Sequence, residues 1–210
     1  GQAKVPLTIR ATMGAGRSSA AQHSQSLHAW ASHVPGLKVA LPSTPKDAIG
    51  LFKTAVRDDN PVIVFEDKMM YAVKGTIPEV VDPIPFGEAD IKRPGTDVTL
   101  IATSSMVLVA LAAAEELASE GISCEVIDPR TMVPLDRDTL IESVSRTGRA
   151  VIIDEGCQSF GVTAELASVV YDGAFDFLDA PILRLGAMDV PVPFSKPLED
   201  VTIPNEQSVI

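Results

Sequence analysis

Cysteine is scarce in this 210-residue sequence, which contains only two. Cys124 lies in an apolar stretch typical of a buried strand, and Cys157 follows a glycine. They have neither the spacing of metal ligands nor the number that a disulfide framework needs, so both kinds of stabilisation are excluded. We predict that both are structural thiols.

Positive charge is also in short supply, because 17 lysines and arginines face 28 aspartates and glutamates, for a formal net charge of −11. A field of this sign repels the phosphate backbone of nucleic acids and the surface of anionic membranes. We therefore expect neither nucleic acid nor a membrane as a partner. Basic partner proteins remain compatible with the charge.

Long hydrophobic runs are missing as well. The longest, residues 106–114, stops at two glutamates and is shorter than the roughly 20 helical residues that cross a bilayer. The first residues lack the basic and then apolar pattern of a secretion signal, so we expect a cytoplasmic protein. Hydrophobic residues still make up 46% of the chain, which is ample for a buried core.

The first third of the chain alternates between strand and helix signals. A strand is predicted over residues 5–11, followed by a loop at 12–19 in which Gly14 and Gly16 favour a tight turn or a close ligand approach. Ser24 or Ser26 is then expected to cap a short helix that reaches about residue 32. Its inner side would carry Leu27, Trp30 and Ala31.

The clearest helix start comes next. Thr44 is the candidate N-cap, Pro45 stands at the first helical position, and Pro61 marks the end. Short strands are predicted on either side, at 39–41 and 62–65. A strand, a helix and a strand at this spacing imply parallel pairing through a right-handed crossover.

The remaining sequence divides into a linker and a second α/β unit. Residues 74–95 are rich in proline without periodicity, which is typical of a linker between domains. After it, strand and helix patterns alternate through residues 96–210, which predicts a mostly parallel, doubly covered sheet. Residues 1–73 contain only three predicted strands, fewer than such a sheet normally has, so we expect further strands of this domain upstream of Gly1.

Several motifs carry a family resemblance. AAQHSQ at 20–25, HVPGLKV at 33–39 and RDDNPV at 57–62 follow one another in an order that resembles the β subunits of thiamine-diphosphate-dependent 2-oxoacid dehydrogenases. They match the second half of the pyrimidine-binding domain. VIDPRTMVPLD, IIDEGCQSFGVTAEL and the C-terminal KPLE stretch are similar to the transketolase-type C-terminal domain of the same subunits. The resemblance covers nearly the whole chain and implies an α/β fold of two domains.

The resemblance gives His23 a catalytic role. The histidine of the QHSQ motif lines the active-site funnel and helps the cofactor-bound intermediate meet a lipoyl arm, a task that suits imidazole because it exchanges protons near neutral pH. Without the motif, a lone histidine would more often be structural. His23, His28 and His33 are five residues apart, about 140° around a helix, so they cannot form a metal cluster on one helical face.

A potassium site is the second implication. In many relatives the ion is held by backbone carbonyls and by the turn that corresponds to RDDNP, which here places it at Leu7, Ala55, Asp58 and Asn60. The end of the preceding helix also offers unpaired carbonyls and the negative end of its dipole. An ordinary solvated helix terminus is the alternative.

Two further features of the family are not found in this sequence. The glutamate that protonates the cofactor would lie upstream of Gly1, and the loop that binds magnesium and diphosphate belongs to the α subunit. We therefore expect thiamine diphosphate and magnesium to bind the assembled enzyme mainly through other regions. The chain alone is expected to be inactive.

The predicted function is a β-subunit portion of a pyruvate-type dehydrogenase that decarboxylates a 2-oxoacid and transfers the acyl group to a lipoyl domain. Its expected partners are an α subunit and a second β subunit in a heterotetramer, and a lipoyl acyltransferase. An acetoin dehydrogenase β subunit is an alternative, since GAG at 14–16 and MMYAVKG at 69–75 resemble acetoin-cleaving relatives. A transketolase or deoxyxylulose-phosphate synthase relative, and a non-catalytic assembly module, are the others.

Overall fold

Two mostly parallel β-sheets organise the chain. The structure is a computed structural model, and it describes residues 3–210. In chain order the strands and α-helices are β1 (Thr8–Met13), α1 (His28–Ser32), β2 (Lys38–Ala40), α2 (Pro45–Ala55), β3 (Val62–Asp67), β4 (Asp90–Arg93), β5 (Val98–Ala102), α3 (Met106–Ser119), β6 (Cys124–Asp128), β7 (Thr131–Val133), α4 (Arg137–Thr147), β8 (Ala150–Cys157), α5 (Val162–Ala174), β9 (Leu183–Ala187), α6 (Lys196–Asp200) and α7 (Glu206–Val209).

The first sheet has four strands in the order β1-β3-β2-β7. Strands β1, β3 and β2 run parallel, with Met13 at the end of β1 opposite Asp67 at the end of β3. Parallel strands end at the same edge of a sheet, where ligands commonly bind in open α/β sheets. The loop that follows β1 therefore begins beside the carboxylate of Asp67.

The second sheet has five strands in the order β4-β6-β5-β8-β9. Its central strands pair in parallel, and β4 is antiparallel on the edge. Buried apolar side chains from β5, β6 and β8 pack against α3 on one face and against α4 and α5 on the other. The chain is thus a mixed α/β protein with parallel sheets, as the sequence predicted.

Two strands differ from the sequence prediction. β4 lies inside residues 74–95, which were predicted as linker, and β7 crosses from the second unit to pair antiparallel with β2 of the first sheet. Each is only three or four residues long. Such short segments have little periodicity of their own, so their pairing depends on strands that lie far away in the sequence.

Helix starts were predicted well where a cap exists. Thr44 accepts a hydrogen bond from the backbone N–H of Asp47 at 3.0 Å, with Pro45 at the start of α2. For α1 the predicted end at Ser32 and the inward Ala31 are confirmed, but the predicted serine cap and inward Trp30 were wrong, because no side chain caps the helix and Trp30 is 74% exposed. Ser26 instead directs its hydroxyl to Glu155 in the second unit.

The two cysteines have different surroundings. Cys124 is buried in the core between the second sheet and α3, as a structural thiol should be. Cys157 is a free thiol too, but it is exposed and does not contribute to a buried core. Strand β8 passes the edge of the core at its last residue, and the thiol there faces solvent.

Within residues 3–210 no helix combines the length and the apolar character needed to cross a membrane.

Candidate functional site

His23 lies on the loop between β1 and α1, at the end of a single 3-10 turn formed by Ala21–His23. Its side chain is exposed, and it lines an open cleft of about 570 Å³. The ammonium of Lys68 donates a hydrogen bond to the backbone carbonyl of His23. Other polar groups around the cleft come from Arg17, Ser19, Gln22 and Gln25. The imidazole can therefore reach a molecule that enters the cleft from solvent.

The backbone that leads to His23 contains several residues with positive φ angles. Gly14 and Gly16 have φ angles of 97° and 93°, and Ser18 and Ala20 have φ angles of 51° and 57°. The left-handed region disfavours residues with a Cβ atom, so Ser18 and Ala20 are strained. At Gly14 a Cβ atom would also lie 2.8 Å from the carboxylate of Asp67, so the site requires glycine.

Carboxylates of the second unit hold this loop. Glu155, near the end of β8, accepts a hydrogen bond from the backbone N–H of Ala15 at 2.8 Å. Glu199, on α6, accepts from the N–H groups of Gly16 and Ser18 at 2.8 and 2.9 Å. Both glutamates are buried. The loop is therefore fixed by residues more than 130 positions away in the sequence.

The histidine five residues further on is a buried structural group. The Nε2 atom of His28 lies 3.0 and 3.1 Å from the two carboxylate oxygens of Asp154. Burial acts to lower the pKa of His28, but the charge and hydrogen bond of Asp154 outweigh it, so the pKa is raised. Burial likewise opposes ionisation of Asp154, whose pKa is nevertheless lowered by His28, Thr103 and the N–H of Gly156.

Glu155 lies among other carboxyl groups. Burial raises its pKa well above the usual value, and the nearby charges of Asp67 and Asp154 add to the effect. Asp67 in turn accepts hydrogen bonds from the hydroxyl of Ser105 at 2.6 Å and from the N–H of Met69 at 2.7 Å. Glu155 therefore keeps its proton over a pH range in which an exposed glutamate is ionised.

The four residues predicted to bind potassium lie around the end of α2. Ala55 accepts hydrogen bonds at its carbonyl from the Thr8 hydroxyl at 3.0 Å and from the N–H of Asp58 at 3.2 Å. Leu7 accepts at its carbonyl from the N–H of Val62 at 2.8 Å.

The carboxylate of this cluster is paired within the chain. Asp58 accepts two hydrogen bonds from Asn60 and forms an ion pair with the ammonium of Lys38. Burial opposes its ionisation, but the hydrogen bonds from Lys38 and Asn60 lower the pKa of Asp58. In residues 3–210, no group of three or more His, Cys, Asp or Glu side chains is arranged to hold a metal ion.

The five acidic side chains of residues 3–71 all have partners within the chain. Asp47 pairs with Lys92, Asp58 with Lys38, Asp59 with Lys4, Glu66 with Arg10, and Asp67 with Ser105.

Sequence reasoning singled out His23 as a candidate but did not single out Asp154, Glu155 or Glu199. The available signal was the acidic pair directly after the apolar run of β8, because side chains at the carboxyl ends of parallel strands often line a functional crevice. Glu199 gave no such signal, since its contact depends on how α6 packs.

The fold and these contacts define a two-unit α/β protein of the transketolase type. Residues 87–209 match the family described as transketolase, C-terminal domain, and residues 1–74 match transketolase, pyrimidine binding domain. Because the first match covers more than half of the chain, the protein belongs to the transketolase family.

Relatives of known name align with the whole chain. It is 50% identical over 210 residues to the pyruvate dehydrogenase E1 component subunit beta of Rickettsia felis, covering 64% of that protein. It is 48% identical to the acetoin:2,6-dichlorophenolindophenol oxidoreductase subunit beta of Bacillus subtilis, covering 61% of it. The chain thus spans less than two thirds of the length of these relatives.

A solved structure shares the fold. A split gene transketolase, described as an inactive beta4 tetramer, superposes with a TM-score of 0.75 at 28% identity. The match covers 98% of this chain and 64% of the other. Both units of the chain therefore have a counterpart in one transketolase chain.

Proposed function

We propose that this chain is the β-subunit portion of a thiamine-diphosphate-dependent 2-oxoacid dehydrogenase of the pyruvate type. The observation that carries the proposal is the placement of His23, exposed in an open cleft on a loop that buried carboxylates fix in place. The names of the relatives that align with all 210 residues support the same assignment.

His23 is assigned the proton exchange that accompanies acyl transfer to a lipoyl domain. His23 is exposed and lines the cleft, whereas His28 is buried and paired with Asp154. An imidazole with this freedom acts as a general acid or base near neutral pH. Thiamine diphosphate and magnesium are assigned to regions of the assembled enzyme outside the described residues.

The assembled enzyme is proposed to contain an α subunit, a second β subunit and a docked lipoyl acyltransferase, and to be cytoplasmic. Because each acidic side chain of residues 3–71 is paired within the chain, we expect that the 210-residue chain alone neither binds thiamine diphosphate tightly nor decarboxylates a 2-oxoacid. Calorimetric titration of the chain with thiamine diphosphate and magnesium tests this statement. Micromolar binding would contradict it.

Acetoin cleavage is the second candidate function. Two of the relatives, from Bacillus subtilis and Cupriavidus necator, are named acetoin:2,6-dichlorophenolindophenol oxidoreductase subunits and are 48% and 46% identical to this chain. The full-length subunit, assembled with its α partner, should be assayed with pyruvate and with acetoin, using 2,6-dichlorophenolindophenol as the electron acceptor in both assays. Turnover of pyruvate supports the first function, turnover of acetoin alone supports the second, and turnover of neither contradicts both.

A potassium ion at Leu7, Ala55, Asp58 and Asn60 remains a proposal, supported by the carbonyl-rich end of α2 beside Asp58. Potassium tolerates irregular oxygen cages, and a bound ion stabilises the folded state by mass action. The melting temperature should therefore be higher in potassium chloride than in tetramethylammonium chloride of equal strength. Asp58→Asn should remove the difference, and a wild-type chain that melts equally in both salts would contradict the site.

A further inference from the structure

We propose that Glu199 is a positioning residue for His23: a carboxylate of the C-terminal unit that sets the place of the loop on which the active-site histidine stands. The inference rests on the proposed function, because it concerns the same acyl transfer. It assigns a role to a side chain that lies 176 positions from His23 and does not line its cleft.

The loop does not hold its shape by itself. Alternate residues from Gly14 to Ala20 have positive φ angles, and a backbone of this kind turns successive N–H groups toward one point. Such a concave set of donors holds hydrogen-bond acceptors, and here the acceptors belong to a side chain of the protein. The N–H groups of Gly16 and Ser18 point to the two oxygens of Glu199 at 2.8 and 2.9 Å.

Glu199 is itself held firmly. Its side chain is fully buried, and its backbone N–H donates to the carbonyl of Ser195 at 2.8 Å. Its own carbonyl accepts from the hydroxyl of Thr202 at 2.7 Å. Hydrogen bonds to a side chain from which water is excluded are stronger than the same bonds in solvent. The strain at Ser18 therefore persists because this carboxylate fixes the loop.

His23 lies between two anchored points. On its N-terminal side, Glu199 holds Ser18; on its C-terminal side, Asp154 holds His28. Between these points, Lys68 bonds to the carbonyl of His23, the N–H of Gly14 donates to the carbonyl of Gln25, and the hydroxyl of Ser26 donates to Glu155. Release of the first anchor would therefore allow the imidazole to move within the cleft, and displacements of about 1 Å cost up to a hundredfold in rate.

The test uses the full-length subunit assembled with its α partner and a separate lipoyl domain. Glu199→Gln keeps the size of the side chain but removes the charge and one of the two acceptor oxygens. We expect faster amide exchange at Gly16 and Ser18 and a fall of tenfold or more in kcat for lipoyl acylation. Decarboxylation measured with a dye acceptor should change less than threefold. Asp200→Asn is the matched control, because the neighbouring carboxylate is exposed and pairs only with Lys196.

A double substitution separates positioning from general damage. If Glu199 acts through His23, then Glu199→Gln should lower acyl transfer in the wild-type background but have little further effect when His23→Ala is present. An equal loss in both backgrounds would overturn the inference, and so would unchanged amide exchange or unchanged acyl transfer in Glu199→Gln. If Glu199→Gln fails to fold, Glu199→Asp keeps the charge, withdraws it by one methylene and is judged by the same outcomes.

The results that would contradict the proposed function differ from those that would overturn the positioning role alone. A wild-type complex that decarboxylates its substrate but never acylates a lipoyl domain would contradict the proposed function, and the positioning role would be overturned with it. A wild-type complex that does acylate the lipoyl domain, together with a Glu199→Gln variant of normal kcat, would overturn the positioning role alone.

Discussion

His23 and His28 lie five residues apart, and their side chains have opposite surroundings. His23 is exposed in the cleft, whereas His28 is buried and paired with Asp154. The QHSQ motif was enough to single out His23 from the sequence. It could not reveal the role of His28, because the carboxylate that pairs with it is 126 positions away.

The His28–Asp154 pair should be essential for stability. Removal of one partner leaves the other charge buried without compensation, which typically costs about 3–5 kcal/mol. His28→Ala should therefore lower the free energy of unfolding by an amount in this range, measured by urea denaturation. His33→Ala is the control, because His33 is exposed, and its effect should stay below about 0.5 kcal/mol. Equal, small effects of both substitutions would contradict this assignment.

The same pair predicts a pH window. The pKa of His28 is raised above 6.5, so its contribution is complete below that value and is lost as the pH rises through the raised pKa. The pKa of Asp154 is lowered below 3.8, so its contribution is complete above that value and is lost as the pH falls through the lowered pKa. The stabilisation by the pair should therefore be greatest between these two values. In His28→Ala, the loss relative to wild type should be largest in that interval.

At the level of helices and strands, the elements with local signals were predicted and those without were not. α2 has a capping threonine and a first-turn proline, and these two residues predicted its start. α1 has no capping side chain, and β4 and β7 are too short to show a period. Their positions follow from tertiary pairing, which a single sequence does not display.

Thr44 offers a direct test of the local signals. Its hydroxyl caps α2 by accepting the N–H of Asp47 and also donates to the carboxylate of Asp47 at 2.6 Å. Thr44→Ala should lower the free energy of unfolding by about 1–2 kcal/mol. Thr96→Ala, at an exposed threonine outside any helix, should have almost no effect. Equal free energies of unfolding for the two variants, measured by thermal and urea denaturation, would contradict the stabilising role of the cap.

At the scale of the whole molecule, buried charges and a shared sheet join the two units. Lys92, on β4, forms ion pairs with Asp47 of the first unit at 2.8 Å and with Asp128 of the second at 3.4 Å. Asp128 also accepts the hydroxyl of Ser43, and the chain continues from it into β7 of the first sheet. The predicted division into separate domains could not anticipate these links, because their partners lie on both sides of residues 74–95.

The buried Asp128 between the two units should make the free energy of unfolding depend on pH. Burial raises the pKa of Asp128 from 3.8 to about 6, so the folded state binds its proton more tightly than the unfolded chain. The resulting stabilisation is complete below pH 3.8 and is lost as the pH rises through about 6. A shift of this size corresponds to roughly 3 kcal/mol.

Asp128→Asn cannot take up this proton. Between pH 4 and pH 7, wild type should therefore lose on the order of 2–3 kcal/mol more than the variant, measured by urea denaturation at a series of pH values. Asp90→Asn is the control, since Asp90 also pairs with Lys92 but is partly exposed. Parallel stability curves for wild type and Asp128→Asn would contradict the raised pKa.

We propose that this chain supplies the acyl-transfer histidine of a two-subunit 2-oxoacid dehydrogenase. It is tested most directly by single-turnover acylation of a lipoyl domain with the assembled enzyme, comparing wild type, His23→Ala and His33→Ala. We expect His23→Ala to slow acylation by about 10²–10⁴-fold, the range of general acid–base catalysis, while thiamine diphosphate affinity changes little and His33→Ala behaves as wild type. An acylation rate in His23→Ala equal to that of wild type would contradict it.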